Sequence, residues 1–309
     1  MLQDPATWLG FSAVVMALLV LDLGVLNRES HVLSFREALT WSASLVTLAL
    51  LFGGFLWIRD GSRVALEYYT GYVIELSLSV DNLFVFLLIF QYFAVPAELQ
   101  PRILKWGILG ALVMRALMIG LGALLLARFT WIIYLFGGIL ILTGWRMFRG
   151  VDDRLEPERN PLVRLARRFI PMADAYDGQR FFTRSLTGWM ATPLLLVLLV
   201  IEWSDLVFAI DSIPAIFAVT RDPFIVYSSN VFAILGLRAL FFVLAGMMDR
   251  FEYLKPGVAT ILVFVGCKMV LNGLFHVPIG ISLGVILAVL VGSVLLSMYK
   301  SRPAPGGGT

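Results

Sequence analysis

Five acidic residues lie inside long apolar runs: Glu75, Asp81, Glu202, Asp205 and Asp211. A charged side chain at mid-bilayer costs about 2.5–3.5 kcal/mol on insertion scales. Five ionised, unpaired acids would together cost on the order of 15 kcal/mol, comparable to the stability of a whole domain. They must be protonated, paired or bound to metal. Three bases, Arg115, Arg238 and Lys268, also fall inside apolar runs and can compensate charge. With all of these groups ionised, two negative charges remain, a match for one divalent cation.

The neighbours of the acids are oxygen donors. Asn82 follows Asp81 and Ser212 follows Asp211. Carboxylates, an amide and a hydroxyl favour Mg²⁺, Ca²⁺ or Mn²⁺ over Zn²⁺ or Cu⁺. The chain has one cysteine, Cys267, and two histidines, His31 and His276, which fall in expected loops away from the acids. The candidate metal ligands are therefore Glu75, Asp81, Asn82, Glu202, Asp205, Asp211 and Ser212. On a helix, Glu75, Ser79 and Asn82 share one face, while Asp81 points about 120° away from Glu75. Glu202 and Asp205 share a face, and Asp211 points opposite if the helix is unbroken. Pro214 removes the donor for the carbonyl of Ile210 and crowds it, so a break near Asp211 is expected, which would let all three acids converge. The competing reading is that the acids only pair with Arg115, Arg238 and Lys268 to lock helices together. Asp22 reads as a helix-end residue, and Asn230 and Asn272 as helix-packing contacts.

Apolar segments must carry these residues. Hydrophobic residues make up 60% of the 309, only 15% are charged, and mean hydropathy is +0.89. That composition belongs to a polytopic all-α membrane bundle. A membrane-crossing helix needs about 20 residues. Nine segments qualify: 8–26, 40–58, 67–93, 103–127, 130–148, 187–219, 227–248, 256–274 and 277–299. The first is read as a retained helix because no basic region or A-x-A site accompanies it. The tail "PAPGGGT" is low-complexity and expected to be disordered. Lysines and arginines number 17 on one side of the expected spans and 4 on the other. The positive-inside rule then puts the N-terminus outside and the C-terminus in the cytoplasm. The net charge of +3 and the basic loop are ordinary for such a protein and no signal for nucleic acid.

The sequence also repeats. "ELSLSVDN" (75–82) parallels "DLVFAIDS" (205–212), "LVMRALMIG" parallels "LGLRALFFV", and "GWRM" parallels "GCKM", in the same order. Each unit holds three expected spans, so the second copy is inverted relative to the first, an architecture common among secondary transporters. The expected organisation is two accessory helices (1–66), repeat unit one (67–148), a basic cytoplasmic loop (149–186), repeat unit two (187–274), then a last helix and tail (275–309). No G-x-x-x-x-G-K-[ST] loop is present, so a gradient would have to drive transport. An intramembrane aspartyl protease built on Asp81 and Asp211 is the enzyme alternative, but neither has the G-x-G-D context and three acids would go unused. The protein is read as a non-enzyme without a resident cofactor.

"ELSLSVDNLFVF" and "IEWSDLVFAIDSIPAIFAVTRDPFIVYSSNVFAILGLRALFF" resemble the TerC family of integral membrane proteins, its Alx-like branch in particular, over roughly residues 10–300. The resemblance implies a repeated three-helix unit and a role in manganese export from the bacterial inner membrane, with Glu75, Asp81, Glu202, Asp205 and Asp211 at the family's acidic positions. It turns a hard divalent cation into Mn²⁺, with H⁺ as a possible counter-ion. A tellurite-resistance or metal-homeostasis subunit acting through a membrane partner or a homo-oligomer is the alternative it leaves.

Overall fold

The computed structural model describes residues 5–21, 34–129, 131–149, 171–173, 175–185, 188–245, 253–271 and 277–300. Asp22, His31, Asn272, His276, the tail and loop residues 150–170 lie outside them. Among the described residues are nine α-helices, one within each expected segment: α1 (Pro5–Leu19), α2 (Phe35–Asp60), α3 (Ser62–Tyr92), α4 (Gln100–Arg128), α5 (Ile132–Phe148), α6 (Pro193–Phe217), α7 (Pro223–Ala245), α8 (Leu254–Val270) and α9 (Ile279–Lys300). A two-stranded antiparallel hairpin, β1 (Phe182–Ser185) and β2 (Gly188–Ala191), precedes α6.

Five of these helices (α2, α4, α6, α7 and α9) are long and apolar enough to cross a membrane. The other four expected spans do not meet that length and composition among the described residues. Helices α1, α5 and α8 have only 15, 17 and 17 residues. Helix α3 is long, at 31 residues, but carries Glu67, Glu75 and Asp81. The expected segment 187–219 also starts too early. Gly188 has φ +127°, a conformation open to glycine, and opens β2. Thr192 is extended (φ −83°, ψ 161°), as a residue before proline prefers, and Pro193 then begins α6. Local signals set other boundaries. Ser34 caps α2 in a capping box with Glu37. Gly61, at φ +94°, separates α2 from α3.

The helices pack in related pairs. Helix α3 lies against α6 and α7, α4 against α6 and α7, α5 against α6 and α8, and α8 against α3 and α9. The α5–α8 crossing is the closest. A Cβ on Gly266 would sit 2.8 Å from the Gly137 carbonyl oxygen, and one on Gly137 would sit 2.9 Å from that of Gly266. Two turns on, a Cβ at Gly144 would lie 2.7 Å from the Ala259 carbonyl. Small residues let two backbones touch in this way. Because the obstacle is backbone on both sides, Gly266→Ala is expected to wedge the pair apart at a cost of about 1–3 kcal/mol. Thermal unfolding in detergent checks this; an unchanged midpoint would mean the crossing is looser than described.

Two apolar clusters fill the bundle. On α4, Ile103, Leu104, Ile108, Ala111 and Leu112 belong to one, and Ile119 and Leu126 to the other. On α6, residues up to Ile201 belong to the first and those from Ala209 to the second. Arg115 and Asp205 fall in the gaps between these sets, so on α4 and α6 a polar layer separates them, whereas on α3 Glu75 lies among residues of the second set, Ile74 and Leu78.

Candidate functional site

The polar layer is built around Arg115 on α4, the largest fully buried side chain, 1% exposed. Its Nη2 donates to Asp205 Oδ1 at 2.9 Å and its Nε to Asp205 Oδ2 at 3.2 Å. This two-pronged contact matches the fork of a guanidinium to the plane of a carboxylate. Nη1 donates to Glu75 Oε1, to Asn230 Oδ1 at 3.2 Å, and at the long end to Ser212 Oγ at 3.4 Å. Asn230 Nδ2 in turn donates to Glu75 Oε2 at 3.1 Å. Four helices thus converge: α3 supplies Glu75, α4 Arg115, α6 Asp205 and Ser212, and α7 Asn230. Glu75, Asp205, Ser212 and Asn230 are all buried.

Two carboxylates on one guanidinium leave a formal charge of −1 when all are ionised. In a dry interior that imbalance is costly unless further donors meet the oxygens. The amide of Asn230 supplies one such donor.

The remaining candidates lie elsewhere. Helix α6 runs unbroken through Pro214, which corrects the expected break. The proline sits in the last turn, three residues before the helix ends at Phe217, so little helix remains beyond it to redirect. The three acids of α6 consequently do not converge. Asp205 faces Arg115, whereas Asp211 accepts from Thr143 Oγ1 of α5 at 2.9 Å. The Glu202 carboxylate lies on the face of Gly110 of α4, in space a Cβ there would occupy. Among the described residues, no three His, Cys, Asp or Glu side chains gather in a metal-binding group. The Asp81 side chain lies outside the described residues.

On the Glu75 face of α3, Ser79 Oγ and Asn82 Nδ2 are buried with no hydrogen-bond partner among the described residues. This is unusual for a hydroxyl on these helices. Thr70, Ser77, Ser204 and Ser293 each return their proton to the carbonyl four residues back. Of the other bases, Arg238 is buried on α7, and Lys268 Nζ donates to Ser282 Oγ at 2.9 Å. Sequence reasoning gave Asn230 only a packing role and passed over Thr143 and Gly110. The signal for Asn230 was present: a buried amide needs a polar partner. Nothing in the sequence pointed to Thr143.

Comparison with known proteins agrees with the helical, apolar architecture. The model of the "Integral membrane protein TerC family" matches residues 60–304. An "Uncharacterized membrane protein STKORF319" from Myxococcus xanthus is 53% identical over 302 residues, covering 98% of this chain and 95% of that protein. A "Putative membrane-bound redox modulator Alx" from Escherichia coli (strain K12) is 47% identical over 304 residues, covering 96% of this chain and 95% of that protein. A Rickettsia bellii "Uncharacterized membrane protein" is 40% identical over 296 residues, covering 96% and 98%. No solved structure matches. With its family motif region matched and its relatives aligned nearly end to end, the chain belongs to the TerC family of integral membrane proteins.

Proposed function

We propose that this protein is a secondary transporter that moves a divalent metal, Mn²⁺ foremost, out of the cytoplasm through the Arg115 layer. The observation that carries the reading is that two buried carboxylates, Glu75 and Asp205, share one buried guanidinium in the apolar interior. Glu75 and Arg115 come from the first repeated unit; Asp205, Ser212 and Asn230 come from the second. The more extensive helix contacts support an inverted repeat: exchanging α3, α4 and α5 for α6, α7 and α8 carries α3–α7 onto α4–α6 and α5–α6 onto α3–α8, and carries α3–α6, α4–α7 and α5–α8 onto themselves.

The chemistry follows from charge. Arg115 holds both acids in the metal-free state. A divalent ion that displaces it would meet two carboxylates, the Asn230 amide oxygen and the Ser212 hydroxyl, a hard oxygen set with balanced charge. Arg115 released by metal, and metal released by Arg115, make two mutually exclusive occupancies, as a coupled carrier requires. Protons from the opposite direction can neutralise the same acids and complete the exchange. The redox role in the printed name of the Escherichia coli relative meets one half-buried thiol here, Cys267, with no second cysteine in the chain to pair with it.

Purified protein in proteoliposomes tests this. Under an imposed pH gradient, Mn²⁺ flux should exceed that from empty vesicles and be competed by unlabelled Mn²⁺ more strongly than by Mg²⁺. Equal flux with and without protein would overturn the transport reading. Stronger competition by Ca²⁺ or Mg²⁺ would reassign the substrate.

A further inference from the structure

The β1–β2 hairpin presents a face that transport does not use. Its register pairs Arg184 with Trp189 and Phe182 with Ala191. Cross-strand partners point to the same side of a hairpin, so Phe182, Arg184, Trp189 and Ala191 share one face. Ala191 is buried, but Phe182 is 47% and Trp189 68% exposed, and Arg184 is exposed as well. An outward face made of two aromatic rings and a guanidinium suits neither plain water nor hydrocarbon.

Its position explains the mixture. Val113, Leu117, Leu121 and Leu124 form the exposed apolar stripe of α4, and Trp106, also exposed, continues that stripe one step towards the helix start. Trp106 therefore marks where the lipid-facing surface meets the headgroup region, the depth tryptophan prefers. Phe181, the residue just before β1, packs edge-on against Trp106 at 6.2 Å between ring centroids. The Arg102 guanidinium lies over the same Phe181 ring at 5.3 Å and donates to Gln179 at 3.2 Å. At the other end of the hairpin, Trp189 stands four residues before Pro193, where α6 enters its apolar span. Both ends of the hairpin are thus tied to the rim of the bundle. Charge at this rim is mainly positive among the described residues: Arg102, Lys105, Arg180 and Arg184 lie there against two acids, Asp177, 3.7 Å from Arg180, and Glu98, four residues before Arg102.

We infer that the Phe182–Arg184–Trp189 face of the hairpin docks on the surrounding bilayer and binds anionic phospholipid headgroups. The rings seat at the glycerol level, and Arg184 reaches the phosphates. A basic residue near an anionic membrane surface contributes about five-fold in affinity. The inference is independent of which ion the protein carries.

Spin labelling tests it in the full chain. In a Cys267→Ser background, Trp189→Cys carries the label, and the protein is reconstituted in nanodiscs of phosphatidylcholine with or without phosphatidylglycerol. The label should collide with oxygen more than with an aqueous nickel chelate, and phosphatidylglycerol should immobilise it further. A label fully accessible to the chelate in both lipids would overturn the inference. Dipolar broadening between labels would overturn it too, by making a second copy the occupant. A parallel measurement needs no label: phosphatidylglycerol should raise the thermal midpoint of the unsubstituted protein, and Arg184→Glu should abolish that dependence while leaving the midpoint in phosphatidylcholine unchanged. Equal responses of both proteins to phosphatidylglycerol would remove Arg184 from the contact and overturn the assignment.

Discussion

Replacing Arg115 with methionine is expected to destabilise the protein by about 3–5 kcal/mol, the cost of leaving buried charge uncompensated. The substitution keeps the apolar stem and removes only the guanidinium. Glu75 and Asp205 are then left buried without their guanidinium, with the Asn230 amide still donating to Glu75. One feature separates this from a packing defect. The loss should shrink when Glu75→Gln and Asp205→Asn are added, since the triple variant buries no unpaired charge. Arg115→Lys should recover only part of the stability, because one ammonium cannot meet Asp205 on two prongs and reach Glu75 as well. Thermal and denaturant unfolding in detergent measure all of these. If Arg115→Met melts with the unsubstituted protein at neutral pH, the acids are not held as ions.

The second large effect is on transport. Glu75→Gln and Asp205→Asn each keep the side-chain length and an acceptor for Arg115, so both should fold. Each removes a carboxylate that the metal needs. Metal flux should fall at least as far as the about 10–100-fold typical for loss of even a supporting partner at a metal site. Glu202→Gln and Asp211→Asn should be milder. Glu202 packs on Gly110, and Asp211 is held by Thr143, each apart from Arg115. Proteoliposome flux across the four variants gives the ranking. Equal losses in all four would mean that the α6 acids act as one group, contrary to the unbroken helix.

The elements were readable because periodicity and hydropathy dominate in such a chain. Every expected segment holds a helix. What was not readable depended on depth and on contacts between helices. The strand at Gly188–Ala191 sits in an apolar run that continues into α6, so composition alone could not divide them. The effect of Pro214 was misjudged because a proline's consequence depends on its place: in the last turn of α6 it leaves the helix intact. The acids and Arg115 were legible as an energetic problem, since five carboxylates in hydrocarbon demand partners. Which acid meets which base was not legible. Arg115 takes one acid from α3 and one from α6, a pairing fixed by the crossing of α3, α4 and α6 and not by sequence spacing.

The central claim is that Glu75 and Asp205 exchange a guanidinium for a metal. Crystals of the protein grown with Mn²⁺ and measured at its absorption edge address it directly. The account predicts an anomalous peak coordinated by the Glu75 and Asp205 carboxylates, with Arg115 turned out of the layer. A peak lodged elsewhere, with Arg115 still bonded to both acids, would contradict it.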